Sequence, residues 1–99
     1  MTTATDFLRR AADIMDERGQ QYDSPDGERS MGRAVTAFNA ITGRERSGRE
    51  ISEAEGWLLL QLLKDVRQWS GPRFHLDSAE DCVAYAALKS EALWRHFIK

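Results

Sequence analysis

Residues 52–85, SEAEGWLLLQLLKDVRQWSGPRFHLDSAEDCVAY, decide the fold of this 99-residue chain. Ser52 and Glu55 have the spacing of a capping box, which marks the start of a helix that continues to about Ser70. Apolar residues cover well over half of the circumference of this helix, and its most apolar segment is 58–66. A helix with this pattern is central in a core or lies at an oligomer interface. We expect the segment 58–66 to form the central core helix.

Three further helices are predicted around the central one. Apolar residues at helical spacing, separated by turn-forming stretches at 19–27 and 43–50, set their limits. Gly19 is expected to end the first helix, and Thr3 or Thr5 to cap its start. Asp77 and Glu80 have N-cap spacing in front of the last helix. The four predicted helices cover residues 4–18, 28–42, 52–70 and 77–97.

The pattern of the whole chain predicts the fold class. No stretch alternates apolar and polar residues in the way that a strand does. We therefore predict an all-α fold, with residues 1–99 forming a single domain that resembles a four-helix bundle. A chain this short buries only about 60–65% of its unfolded surface. Further burial between copies is therefore expected, and we predict a homo-oligomer that associates through the third and fourth predicted helices.

Charge and cysteine content narrow the classes of function. The formal net charge of −2 gives no reason to expect direct nucleic-acid binding. Cys82 is the single cysteine, so no intrachain disulfide forms and a reducing compartment is expected. The N-terminus lacks a signal-peptide pattern, and the longest aliphatic run is far shorter than the roughly 20 residues of a membrane span. We expect a soluble cytoplasmic protein without a membrane partner, in which Cys82 is an inert thiol.

Five polar residues have spacings that suit either structure or chemistry. Asp77, Asp81 and Tyr85 share one face of the last predicted helix, and Lys64 and Arg67 share one face of the helix before it. A short loop joins these helices, so the two faces are expected to meet in antiparallel packing. The set then forms either interhelical ion pairs or a site for Mg²⁺ and phosphate, since carboxylates suit the metal and basic side chains suit phosphate.

The same residues resemble a known family. Glu17 and Arg18 followed by Tyr22, and then the stretches LLLQLLKDVR and DSAEDCVAYAAL, look like a small phage-associated domain of unknown function. Its members show Asp-Arg-x-x-x-Tyr-Gly, then Lys-x-x-Arg, then Asp-x-x-x-Asp-x-x-x-Tyr. The likeness covers about residues 7–90, with Glu17 in place of Asp and Asp23 in place of Gly. The acidic-tyrosine motif is also similar to nucleotide-modification-associated phage domains and, more distantly, to MazG-like all-α nucleotide pyrophosphohydrolases.

The resemblance implies a phage-encoded helical oligomer that binds or processes a nucleotide in a bacterial host cell. In that family pattern Asp77 and Asp81 would hold Mg²⁺. The residues that the resemblance assigns to nucleotide and phosphate binding are Lys64, Arg67, Tyr22 and Tyr85. The double ExxE…ExxD signature of the pyrophosphohydrolases is not convincingly present, so the resemblance leaves catalysis open.

A second hypothesis belongs to a different functional class. Small size, acidic balance and three tryptophans favour a phage anti-defence inhibitor that binds a host protein, for example a CRISPR effector. A phage structural or accessory protein without a ligand is a third option. A structure in which Asp77 and Asp81 open into a pocket would favour the ligand hypothesis. A structure in which both carboxylates are closed onto Lys64 and Arg67 in a dry helix contact would favour an interaction module.

Overall fold

In the computed structural model the chain is built from helices. The structure describes residues 2–22 and 29–98, without the side chains of residues 19–22. Within these ranges it has five helices, which are α1 (Ala4–Tyr22), α2 (Ser30–Ile41), α3 (Arg44–Ser47), α4 (Glu53–Trp69) and α5 (Leu76–Ile98). No strand occurs in the described ranges, so the all-α prediction is confirmed. Over the same ranges, no helix combines the length and the apolar character that crossing a membrane requires.

Two of the helices begin at reciprocal side-chain caps. At α4, Ser52 Oγ accepts a hydrogen bond from the Glu55 amide at 3.1 Å, and Glu55 Oε1 accepts from the Ser52 amide at 2.8 Å. The predicted capping box is therefore confirmed. Thr3 and Asp6 make the same exchange at α1, at 3.2 and 2.9 Å. The Thr3 amide, by donating to the Asp6 carboxylate, holds the pKa of that carboxyl below its usual range.

The limits of α1 and α5 differ from the prediction. α1 continues through Gly19 to Tyr22, so Gly19 does not end it. Glycine costs only about 1 kcal/mol against alanine inside a helix, and the flanking turns offset that cost. α5 begins at Leu76, so Asp77 lies in its first turn and not at its N-cap. The rest of the predicted loop, residues 23–27, lies outside the described residues.

The predicted loop 43–50 contains a single helical turn, α3. Gly43 and Gly48 bound this turn, and both have left-handed backbone conformations, with φ of 76° and 74°. Glycine is the residue that adopts this conformation without a steric cost. The two glycines therefore reverse the chain on either side of α3, between α2 and α4.

α4 and α5 form an antiparallel pair that is the frame of the fold. Lys64 near the end of α4 pairs with Asp81 near the start of α5, and Trp57 near the start of α4 stacks on Tyr85 further along α5. The buried core cluster is small and consists of Ala54, Trp57, Leu88 and Ala92. α1 packs on α5, and α2 packs on α4.

The contact between α2 and α4 depends on a glycine. A Cβ atom added at Gly56 would lie 2.5 Å from Met31 Sδ and 2.9 Å from Val35 Cγ2. The absence of a side chain there lets the two helices approach closely. Buried Asn39 adds two hydrogen bonds, since its side-chain amide donates to the Ile51 carbonyl and its oxygen accepts from the Ile51 amide, both at 3.0 Å. α2 is thereby fixed to the segment that leads into α4.

The prediction that the segment 58–66 is the central core helix is wrong for the single chain. Leu59, Leu62 and Val66 keep 63%, 50% and 62% of their surface exposed. The reason is topological, because α1 packs on α5 instead of on α4, and Gly56 places α2 against the beginning of α4. The radius of gyration is 15.1 Å, against about 13 Å for a compact chain of this length.

Candidate functional site

An apolar surface runs along α4 on the side that faces away from α5. We call it the α4 stripe, and its members are Leu58, Leu59, Leu62, Leu63, Val66 and Trp69, all of them exposed. Positions 59, 62, 66 and 69 repeat at intervals of three and four, which places them in one row along the helix. The stripe covers about three helical turns, and it is the part of the predicted core that the described residues leave uncovered.

The opposite side of α4 accounts for the contacts within the chain. Trp57 is buried against Tyr85, and Lys64 is held against α5 by its ion pair. Ala54 and Gly56 are buried where α2 and α5 meet the start of the helix. α4 therefore has one face that the other described helices use and another, of similar length, that they do not cover.

The predicted polar set is only partly brought together. Lys64 Nζ lies 2.7 Å from Asp81 Oδ2, and the two side chains are 14% and 18% exposed. Tyr85 is held by stacking on Trp57, with ring centroids 5.6 Å apart and an angle of 29° between planes. The pair and the stacked rings therefore join α4 to α5.

The other members of the set lie apart from this contact. Asp77 is exposed in the first turn of α5, and Arg67 is exposed on α4. Within the described residues Arg67 has no ion-pair partner. The side chain of Tyr22 lies outside the described residues. In the described ranges, no group of three or more His, Cys, Asp or Glu side chains is placed to hold a metal ion.

Cys82 lies beside the ion pair and is not activated by it. Its Sγ lies 3.3 Å from Asp65 Oδ1 and 3.5 Å from the Gln61 carbonyl oxygen, and the single thiol proton donates to one of these acceptors at a time. Burial, followed by the hydrogen bond to the Asp65 carboxylate, raises the pKa of the thiol to about 11. Since the thiolate is the reactive form, Cys82 is a poor nucleophile at neutral pH.

A charged cluster that the sequence did not predict joins three parts of the chain. Glu53 pairs with Arg29 at 3.3 Å and with Arg95 at 3.3 Å, and Arg95 also pairs with Glu91 at 2.9 Å. Arg29, Glu53 and Arg95 line a cleft of about 430 Å³ at the start of α4. The arginines are matched by the two carboxylates, so the cluster links helices and offers no uncompensated charge to a ligand.

The signal for this cluster in the sequence was weak. Glu91 and Arg95 have helical i, i+4 spacing, which can be recognised in a sequence. The pairs that Glu53 makes join positions 24 and 42 residues apart, so they follow from the packing of helices and from no local pattern. The position of Glu53 in the first turn of α4 is in itself only typical of acidic residues near a helix start.

Comparison with known proteins adds no functional information. No family model, no curated protein and no solved structure matches the chain.

Proposed function

We propose that this protein is a small helical interaction module that binds protein through the α4 stripe. The observation that carries the proposal is the exposure of six large apolar side chains on one side of α4. Contiguous apolar patches larger than a few hundred Å² are uncommon on monomers and mark interaction sites. A partner that covers the stripe would remove those side chains from water and complete the bundle-like arrangement that the sequence predicts.

The polar set supports the same proposal. Asp81 is closed onto Lys64 in the contact between α4 and α5, and the pair is mostly shielded from solvent. This is the arrangement expected when the charges join helices, because a metal or phosphate site would leave a carboxylate or a cation free for the ligand. This support comes from the pair of Asp81 and Lys64 alone, since Asp77 and Arg67 stay exposed and form no ion pair with each other.

The biological setting of the proposal comes from the sequence. The resemblance to phage-associated domains, together with small size and acidic charge, favours an anti-defence protein acting in the cytoplasm of a bacterial host. In that setting the α4 stripe serves either to join copies of the inhibitor or to bind a host defence protein. Either use requires the α4 stripe to bind protein.

The test is a pull-down with the tagged chain, either wild type or a variant, as bait. The bait is mixed with a bacterial extract to which the untagged chain has been added. We expect wild type to retain a stoichiometric partner and Leu62→Lys to lose it, because a charge at the middle of the stripe opposes burial. Leu8→Lys, at an exposed apolar position on α1, is the matched control and retains the partner. Equal retention by Leu62→Lys and wild type would exclude the proposal.

The nucleotide hypothesis stays a prediction, with Mg²⁺ on Asp77 and Asp81 and phosphate on Lys64 and Arg67. Arg67 is the observation in its favour, since it is exposed and has no ion pair in the described part of the chain. A bound nucleotide raises the melting temperature by mass action. The hypothesis expects that rise with a nucleoside triphosphate and Mg²⁺, and its loss in Arg67→Ala. An unchanged melting temperature contradicts it.

A further inference from the structure

We infer that the partner on the α4 stripe is a second copy of this chain, packed with its own α4 antiparallel to the first. The inference rests on the proposed function and names the occupant of the same surface. Three observations carry it, namely the area that the chain leaves exposed, the spacing of the stripe and the charges at its two ends.

The exposed area is more than enough for a stable dimer. The chain exposes 7414 Å². A compact monomer of 11.3 kDa exposes about 5,700 Å², so this chain exposes roughly 1,700 Å² in excess. A standard interface takes about 800 Å² from each partner. The excess belongs to the whole chain, and it is about twice the area that a standard interface takes from one partner, so the burial of one face against a second copy fits within it.

The spacing of the stripe matches a pair of like helices. Positions 59, 62, 66 and 69 alternate three and four residues apart, which is the seam of two helices packed side by side. The middle of the row lies at position 64, between Leu62 and Val66. When two copies run antiparallel about that point, Leu59 of one copy faces Trp69 of the other, and Leu62 faces Val66. The surface is thus complementary to itself, as a two-fold interface requires.

The charges at the two ends of the stripe favour the antiparallel direction. Glu55 is exposed and lies one turn before Leu59, in line with the row. Parallel packing places the two copies of Glu55 beside each other, which is unfavourable, whereas antiparallel packing moves them to opposite ends of the pair. The helix dipole carries partial positive charge at the start of α4 and partial negative charge at its end, so it also favours antiparallel packing.

The first test measures the mass of the purified chain by sedimentation over a concentration series. Wild type and Leu8→Lys approach twice 11.3 kDa as concentration rises, whereas Leu62→Lys stays at 11.3 kDa. Circular dichroism shows that Leu62→Lys keeps its helices, because position 62 is half exposed in the single chain. A wild-type chain that is monomeric throughout, or a Leu62→Lys chain that still dimerises, overturns the inference.

The second test determines direction by disulfide cross-linking in a Cys82→Ala background. Residue 59 of one copy faces residue 69 of the other, so a mixture of Leu59→Cys and Trp69→Cys chains forms a covalent heterodimer. Each variant alone is the matched control on the same stripe. Five residues from the axis, the two copies of either residue are about 15 Å apart along the helices. A disulfide needs Cα atoms within about 7 Å, so neither variant cross-links alone. Cross-linking of each variant alone would show parallel packing, and that result or the absence of the heterodimer would overturn the inference.

The two proposals fail in different ways. A wild-type chain that stays monomeric would exclude a second copy as the partner on the α4 stripe. If Leu62→Lys nevertheless loses a foreign partner that wild type retains, the α4 stripe is still a protein-binding surface. Retention of every partner by Leu62→Lys removes the proposed function itself.

Discussion

At the scale of single residues, Gly56 shows how one missing side chain positions two helices. The space that a Cβ would occupy is filled by Met31 and Val35 of α2. We expect Gly56→Ala to lower the free energy of unfolding by about 1–3 kcal/mol, because overpacking outweighs the preference of about 1 kcal/mol for alanine in a helix. Urea unfolding measures the change.

Gly71→Ala is the control for this substitution. A Cβ at Gly71 meets no atom within 4 Å, so the unfolding midpoint of the Gly71→Ala protein should stay close to that of wild type. A Gly56→Ala protein that is more stable than wild type would contradict the close contact between α2 and α4.

Cys82 gives a second prediction at the residue scale, and it concerns pH. The pKa of the thiol is raised from 9.0 to about 11, so alkylation in the folded protein should be half-maximal near pH 11 and not near pH 9. Because the folded pKa lies above the unfolded value, unfolding releases the proton more readily. The contribution of Cys82 to stability is therefore complete below about pH 9 and is lost as pH rises toward 11.

Two variants check the cause of that shift. Asp65→Asn removes the neighbouring carboxylate that accepts from Sγ, and it should lower the pKa of Cys82. Cys82→Ala should lose the alkaline decrease in stability that the thiol causes. Rapid alkylation of the folded wild-type protein at pH 8 would contradict the contact between Cys82 and Asp65.

At the scale of helices, local chemistry predicted the starts better than the ends. The capping box at Ser52 depends on residues three apart, so the sequence alone revealed it. Gly19 was expected to end α1, but a single glycine costs too little to stop a helix that is stabilised by neighbouring turns. The turn α3 depends on two glycines that bound four polar residues, a pattern equally typical of a loop.

The ion pair between α4 and α5 gives the prediction for this scale. We expect Asp81→Asn to lower the free energy of unfolding by about 1–3 kcal/mol, because it leaves the shielded Lys64 without its partner. Arg67→Gln, at an exposed position without an ion pair, should change it by less than about 0.5 kcal/mol. Chemical denaturation of both variants measures the difference.

The sign of the change in the free energy of unfolding in Asp81→Asn distinguishes the ion-pair interpretation of the polar set from the metal-site interpretation. In a metal site without its metal, carboxylates repel one another, and removing one of them generally stabilises the protein. An Asp81→Asn protein more stable than wild type would therefore favour the Mg²⁺ hypothesis and contradict the structural pair.

At the scale of the whole molecule, the sequence predicted how much apolar surface α4 carries but not what covers it. The sequence showed that apolar residues cover well over half of the circumference of this helix, and Leu59, Leu62 and Val66 among them are exposed in the single chain. Whether the face that carries them meets another helix of the same chain depends on where α1 and α2 pack, and this is set by long-range contacts such as Gly56 with Met31. The face expected in the core is for that reason the candidate interface.

Hydrogen exchange at increasing protein concentration tests whether a second copy covers the α4 stripe. We expect amides of residues 58–69 to exchange more slowly as concentration rises, while those of α1 do not change. In Leu62→Lys the exchange of the same segment should be independent of concentration. Exchange of residues 58–69 that does not depend on concentration in the wild-type protein would contradict the claim.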